Sequence, residues 1–152
     1  MTPIWFISSL ADVLVATDDY ALIEMHTPPG DQPPLHVHRD EDEGFYVLEG
    51  EVCLWAGEER ILLRAGQFAN APAGVPHTYR VVSDEKARIL VTSPTGDFVR
   101  FVLAYGEPAE RHELPVVEGP PDAERLGRLA AEHGIDLLGP PGMLPADLSR
   151  AA

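Results

Sequence analysis

The stretch GDQPPLHVHRDEDEGFYVLEG, residues 30–50, sets two histidines, a run of acids and a strand-forming segment between two glycines. His36 and His38 are two apart, and side chains two apart on a strand share a face, so one face presents two imidazoles. The segment from Glu43 onward opens on a carboxylate and continues Phe45, Tyr46, Val47, Leu48, which suits a pleated, partly buried strand. Glu43 is the natural oxygen partner of the two rings. A divalent cation needs more than these three, and the later candidate is His77, in the glycine- and proline-punctuated stretch GQFANAPAGVPHTYR, residues 66–80. The expected site is therefore His36, His38, Glu43 and His77 on two hairpins that meet at one ion.

The spacing of these residues resembles the two motifs of the cupin superfamily. The first reads Gly30, five residues, His36, one residue, His38, four residues, Glu43, six residues, Gly50; the second reads Gly66, five residues, Pro72, one residue, Gly74, two residues, His77. The family pattern continues to an asparagine four positions later, where this chain has Val81. That asparagine is not a ligand in the pattern, so its absence leaves the ligand set intact and removes a polar group from the cavity wall. Within the acid run Asp42 is an alternative to Glu43, and the spacing to Gly50 favours Glu43. Asp40 and Glu41 read as a solvated turn, and Arg39 as a rim residue.

The chain has 152 residues, which suits one domain able to bury a core without disulfide or metal staples. Cys53 is the only cysteine, so there is no disulfide framework, and it reads as a small core residue. The formal charge is −14 and Lys86 is the only lysine, which argues against a phosphate-binding surface and against nucleic acid as a partner. Residues 1–15 are apolar but lack a basic leading segment and are broken by Ser8, Ser9 and Asp12. Neither a signal peptide nor a membrane span is expected, and the expected location is cytoplasmic.

In chain order, residues 5–8, 13–16 and 20–27 read as strands, with Thr17, Asp18 and Asp19 as a turn. His26 reads as a structural histidine rather than a cavity group. Residues 28–34 carry prolines that cannot sustain a sheet ladder, so they form a loop delivering the histidine strand. Residues 43–48 and 52–55 are expected to pair as an antiparallel hairpin about Gly50. Residues 61–63, 67–70, 79–82, 87–92 and 98–104 supply further strands of an all-β jelly-roll barrel of two antiparallel sheets.

Beyond residue 106 the character changes. Residues 1–106 are expected to form the barrel, and residues 107–152 a linker, a short C-terminal helix and a tail packed on it or on a partner subunit, one domain overall. Asp122 is the expected N-cap of that helix, Leu126, Leu129, Ala130 and His133 its common face, and Gly134 its C-terminal stop. His133 reads as a dipole partner at the helix end and His112 as solvent-exposed. The tail from residue 139 is expected to be extended.

Three imidazoles and a carboxylate form a borderline nitrogen and oxygen set suited to one Fe, Mn, Co, Ni, Cu or Zn ion and poor for Ca or Mg. Candidate walls of an apolar substrate pocket are Phe45, Trp55, Phe68, Tyr79 and Phe101. WFISSLADVLV (5–15), IEMHTPPGDQPPLHVHRDEDEGFYVLEGEV (23–52) and AAEHGIDLLGPP (130–141) together resemble the small monocupins related to quercetin 2,3-dioxygenase. The resemblance implies a metal-dependent dioxygenase acting on a small phenolic, flavonol or polyketide-like substrate, with Glu43 as both ligand and base, and a homodimeric assembly. The same site also suits a non-redox cyclase, isomerase or lyase, or a non-catalytic small-molecule binding module. No helix-turn-helix is evident, so a stand-alone transcription factor is not indicated.

Overall fold

Short runs of alternating apolar and polar residues, broken by glycine, proline and acid-rich turns, build two facing antiparallel sheets in the computed structural model, which describes residues 2–150. The strands before the first helix are β1 (Ile4–Phe6), β2 (Ser9–Ala16), β3 (Ala21–Thr27), β4 (Leu35–His38), β5 (Glu43–Glu49), β6 (Glu51–Ala56), β7 (Glu59–Arg64), β8 (Phe68–Ala71), β9 (His77–Val81) and β10 (Ala87–Ser93). They are followed by α1 (Asp97–Tyr105), β11 (Glu107–Pro108), α2 (Ala123–Glu132), β12 (Ile135–Gly139) and α3 (Pro145–Arg150). One sheet runs β11-β1-β2-β3-β10-β5-β8 and the other β12-β4-β9-β6-β7. The class is all-β, as expected, and the architecture is a jelly roll whose two sheets are not closed into one hydrogen-bonded barrel. Ile23, Met25, Phe45, Val47, Ile89 and Val91 from the first sheet share one buried core with Val52, Leu54, Ala56 and Val81 from the second.

Three expectations are corrected by this topology. The strands either side of Gly50 do not pair: β5 bonds to β10 and β8, whereas β6 bonds to β7 and β9. Gly50 is a corner between sheets, with φ 82°, and a Cβ there would lie 2.9 Å from Ser83 Oγ and 3.0 Å from Ala87 Cα. Secondly, residues 98–104 are helical, within α1. Phe98, Phe101, Val102 and Tyr105 recur at helical spacing, and this face packs inward, with Phe101 edge-on to Phe6 at 5.4 Å between ring centroids. Thirdly, the tail is ordered: β12 pairs with β4 and α3 follows it, so there are three helices among the described residues rather than one; residues 151–152 lie outside that range.

The region after α1 is tied to both sheets. β11 pairs with β1, and α2 packs on α1 and β12. The expected caps of α2 are present, since Asp122 accepts from the Arg125 N–H at 3.1 Å and Gly134, with φ 76°, follows the C-cap His133. Leu126 and Ala130 are its buried residues. Arg39 holds this unit against β4, donating to Asp136 Oδ1 and to the Ala131 carbonyl, both at 2.7 Å. No helix among the described residues is long and apolar enough to cross a membrane.

Candidate metal centre

The pleat of β4 turns His36 and His38 to the inside, and the register of the second sheet sets His36 directly opposite His77 on β9. β5 opens on the facing sheet with Glu43 pointing inward, as do Phe45 and Val47 two and four residues on. The three Nε2 atoms converge on one oxygen, Glu43 Oε2, at 3.9 Å from His36, 3.0 Å from His38 and 2.8 Å from His77. Glu43 is 3 % exposed, and His38 and His77 are each 1 % exposed. The four ligand atoms lie within 4.8 Å of one another, the convergence expected for a group that can hold one cation.

The hydrogen bonds behind the rings decide which nitrogens face inward. His36 Nδ1 lies 2.7 Å from the Pro34 carbonyl and His77 Nδ1 3.1 Å from the Val75 carbonyl. A carbonyl only accepts, so each Nδ1 carries a hydrogen, and a ring without a second proton turns an Nε2 lone pair toward Glu43. His38 Nε2 is buried without an aligned hydrogen-bond partner although Glu43 Oε2 is 3.0 Å away. Lone pairs and a carboxylate oxygen aimed at one point repel unless a cation or added proton sits among them, so the residues fit a divalent transition metal.

The charges are correspondingly displaced. Burial works against a charge on Glu43, but the neighbouring His38 charge and the closeness of the three imidazoles hold its carboxyl well below the usual carboxylate range. Burial, reinforced by a charge on His77, brings His36 down to about 4. For His38 burial is outweighed by Glu43 and Glu41, which raise it to about 10.

Glu41 is not the solvated turn residue expected from the acid run. It is 3 % exposed, and its carboxylate accepts from Ser93 Oγ at 2.5 Å, Thr95 Oγ1 at 2.6 Å and the Phe98 N–H at 3.0 Å while lying 3.3 Å from His38 Nδ1. It therefore stands behind a site histidine and beneath the first turn of α1, where peptide N–H groups and the helix dipole favour an anion. The sequence signal was the alternation Glu41 in, Asp42 out, Glu43 in. Asp42 is exposed and turns outward to accept from Ala73 N at 2.8 Å and Asn70 Nδ2 at 3.2 Å, so it does not join the cluster.

An elongated cavity of about 1000 Å³ opens onto His36 and Glu43, walled by Phe6, Met25, Tyr79, Phe98, Leu126 and Leu137. Ile7 also reaches it from a left-handed backbone (φ 58°), an unusual conformation for a β-branched residue. Leu137 comes from β12, opposite His36 in register, so the tail builds part of the wall. Asp31 and Gln32, in the proline loop, add polar groups: Ser8 Oγ donates to Asp31 Oδ1 at 2.6 Å, and Gln32 Nε2 is buried with no partner. Val81, where the family pattern has asparagine, is a core residue whose backbone pins this loop through Gly30 N to Val81 O at 2.9 Å.

Of the five expected wall aromatics only Tyr79 lines the cavity. Phe45 is in the core and supports His77 and Tyr79 from behind, at 6.2 and 5.8 Å between centroids. Trp55 falls on the outer face of β6, because Leu54 and Ala56 take the inner one, and lies beneath Arg60. Phe68 is 55 % exposed and rides over Gly44 on the outside of the seven-stranded sheet, where any Cβ would collide with its ring. Phe101 is buried between Phe6 and Tyr105 on α1. Phe98, one helical turn before Phe101, is the aromatic that does face the cavity. His26 is buried on the outer face of β3, and His112, 57 % exposed at its side chain, meets it there.

Comparison with known proteins agrees with this fold. Residues 23–93 match the family model described as the Cupin domain. The chain is 37 % identical over 98 residues to quercetin 2,3-dioxygenase of Bacillus subtilis (strain 168), covering 64 % of this chain and 29 % of that protein. It is 36 % identical over 62 residues to polyketide synthase CurC of Streptomyces cyaneus, covering 41 % of this chain and 40 % of that protein. This chain thus spans less than half the length of either curated relative. Among solved structures, the protein TT1209 from Thermus thermophilus superposes with a TM-score of 0.55 at 34 % identity, over 58 % of this chain and 84 % of that one.

Proposed function

The chain belongs to the cupin superfamily, and on that footing we propose that it is a metal-dependent oxygenase, a quercetinase-like dioxygenase acting on a small phenolic, flavonol or polyketide-like substrate. The observation that carries this reading is the convergence of three imidazole nitrogens and the Glu43 oxygen on one point at the floor of an apolar cavity. His36, His38, Glu43 and His77 are the proposed ligands of one divalent transition ion, which when bound supplies a Lewis-acid and redox centre for a substrate hydroxyl and dioxygen.

The chain's own groups do the rest. Phe98, Met25 and Leu137 clasp a flat apolar ring system, and Gln32 Nε2 donates to a substrate carbonyl. Burial keeps the Tyr79 phenol protonated, with the Asp31 charge adding to the effect, so Tyr79 is a donor. Glu43 is a weak base because its carboxyl is held so low. Asp31 lines the same cavity, and burial raises its carboxyl above the usual range despite the Ser8 hydrogen bond, so it is the stronger proton acceptor.

Elemental analysis of tag-free protein followed by assay of a flavonol panel with and without dioxygen tests the proposal. Turnover that stops anaerobically and is lost in His77→Ala is expected. Oxygen-independent turnover would instead favour a cyclase, isomerase or lyase, the reading that the similarity to CurC supports. A homodimer in the cytoplasm is part of the same proposal, with the half-exposed Tyr46 and Phe68 on the outer sheet face as the surface that pairing would cover. Sedimentation as a single 16.6 kDa species would count against the dimer.

A further inference from the structure

We propose that Asp12, His26 and His112 form a second divalent-cation site, of transition-metal type, which fastens the segment 109–121 to the outer face of the seven-stranded sheet. It is separate from the first cluster: on β3, Met25 faces the cavity and His26 faces the opposite side of the sheet. The paired strands β2 and β3 and the segment after β11 deliver the ligand atoms. Asp12 Oδ2 lies 3.2 Å from His26 Nε2 and 2.7 Å from His112 Nε2, and all three atoms fall within 4.8 Å of one another. An ion with bonds of about 2.0–2.1 Å in tetrahedral geometry spaces its ligands by about 3.3 Å, close to the Asp12–His26 separation, and the exposed His112 side chain, now at hydrogen-bond distance from Asp12, would move out by about half an ångström to meet it.

His26 Nε2 faces two carboxylate oxygens at 3.2 Å each, Asp12 Oδ2 and Glu24 Oε1, and a neutral ring has one hydrogen to give. Burial, with a contribution from Lys86, keeps His26 below its ordinary value against the pull of Glu24 and Asp12. Glu24 Oε1 is also held by Arg88 Nε at 2.7 Å, so Glu24 is an outer partner rather than a ligand. Two neutral imidazoles and one carboxylate form a borderline set that favours zinc, cobalt, nickel or copper over calcium or magnesium, with water completing the shell.

The consequence is structural. His112 sits on the segment that also carries Val117, Gly119 and Pro120 to the cavity wall, and that segment is also held by the Ala109 N–H donating to the Pro3 carbonyl and by Trp5 Nε1 donating to the Glu113 carbonyl, both at 2.8 Å. A cation shared by His112 and two strands stiffens this strap across the cavity.

Zinc titration of the 152-residue protein, by calorimetry and by elemental analysis after desalting, tests the site. Wild type is expected to bind two ions, His112→Ala one, His36→Ala/His77→Ala one, and the triple variant none. His112 is largely exposed, so its truncation opens no core cavity. In the His36→Ala/His77→Ala protein, zinc is expected to slow amide exchange over residues 109–121 at least tenfold, and His112→Ala to abolish that slowing. Equal zinc uptake by wild type and His112→Ala overturns the site, and unchanged exchange overturns the fastening role. One ion in wild type, lost with His112→Ala but kept in His36→Ala/His77→Ala, would remove the first centre and leave this one standing.

Discussion

Glu41 Oε1 lies 3.3 Å from His38 Nδ1, while Nε2 of the same ring lies 3.0 Å from Glu43 Oε2, so His38 is held between two buried carboxylates. The rear carboxylate fixes the ring's orientation and would raise its basicity as a proposed ligand. It also links the cluster to α1, because Glu41 receives the Phe98 N–H and Phe98 walls the cavity.

Glu41→Gln is therefore expected to weaken metal binding at the proposed first centre without replacing a proposed ligand. Outer-shell losses of this kind cost about 10–100-fold in metal affinity. The amide would also turn an NH₂ group toward hydroxyl or peptide donors, a loss of about 2 kcal/mol in stability. Chelator competition measures the first effect and urea unfolding the second. Unchanged affinity would remove Glu41 from the metal centre and leave it only a helix support.

The acid dependence of the same residue has a definite sign. Burial disfavours its charge, but His38, Ser93 and Thr95 outweigh that and lower its carboxyl to about 2 from a reference value of 4.5. A lowered carboxyl contributes stability that is present above the unfolded value and lost as pH falls through the folded one. The stability difference between wild type and Glu41→Gln is expected to be full above pH 4.5 and to close between there and pH 2, as read from urea midpoints across that range.

Asp31→Asn separates proton transfer from metal binding. The amide preserves the shape of the loop and an acceptor for Ser8, so metal content and fold are expected to persist. The rate falls about 10²-fold or more if Asp31 accepts the substrate proton, and the acidic limb of the pH–rate profile goes with it. A full rate with that limb intact returns the base role to Glu43.

Gly50 and Gly66 offer a matched backbone test. Both have left-handed backbones, but a Cβ at Gly50 meets Ser83 and Ala87 whereas one at Gly66 meets nothing within 4 Å. Gly66→Ala is expected to cost about 1–2 kcal/mol for the φ alone, and Gly50→Ala measurably more. Thermal melts of the two variants compare them directly, and equal losses would mean the corner between the sheets is less crowded than it looks.

Much of the centre was legible because its residues carry their own geometry. His36 and His38 share a face by the two-residue pleat, Glu43 opens the next strand, and His77 follows a stiff glycine- and proline-rich loop, so the residue types and their spacing survive without coordinates. Strand pairing was not legible in the same way. Alternation tells which face a residue takes but not which sheet receives the strand, and β5 and β6 part at Gly50 although a hairpin would satisfy the same pattern. In DFVRFVLAY the apolar run suits either strand or helix, and only the spacing of Phe98, Phe101, Val102 and Tyr105 marks the helix. Glu41 was hidden for a different reason, since its donors Ser93, Thr95 and Phe98 lie more than fifty residues away.

β4, the strand of both leading histidines, takes one neighbour from β9 and the other from β12, where Ile135 stands opposite His38 and Leu137 opposite His36. A nascent chain that has cleared the ribosome only through β10 already owns all four converging side chains, yet the edge beside them stays raw until some forty further residues have emerged. Translation thus delivers the chemistry first and its shelter last, and the cluster waits half-roofed, exposed to stray ions and stray strands, for the final stretch to dock.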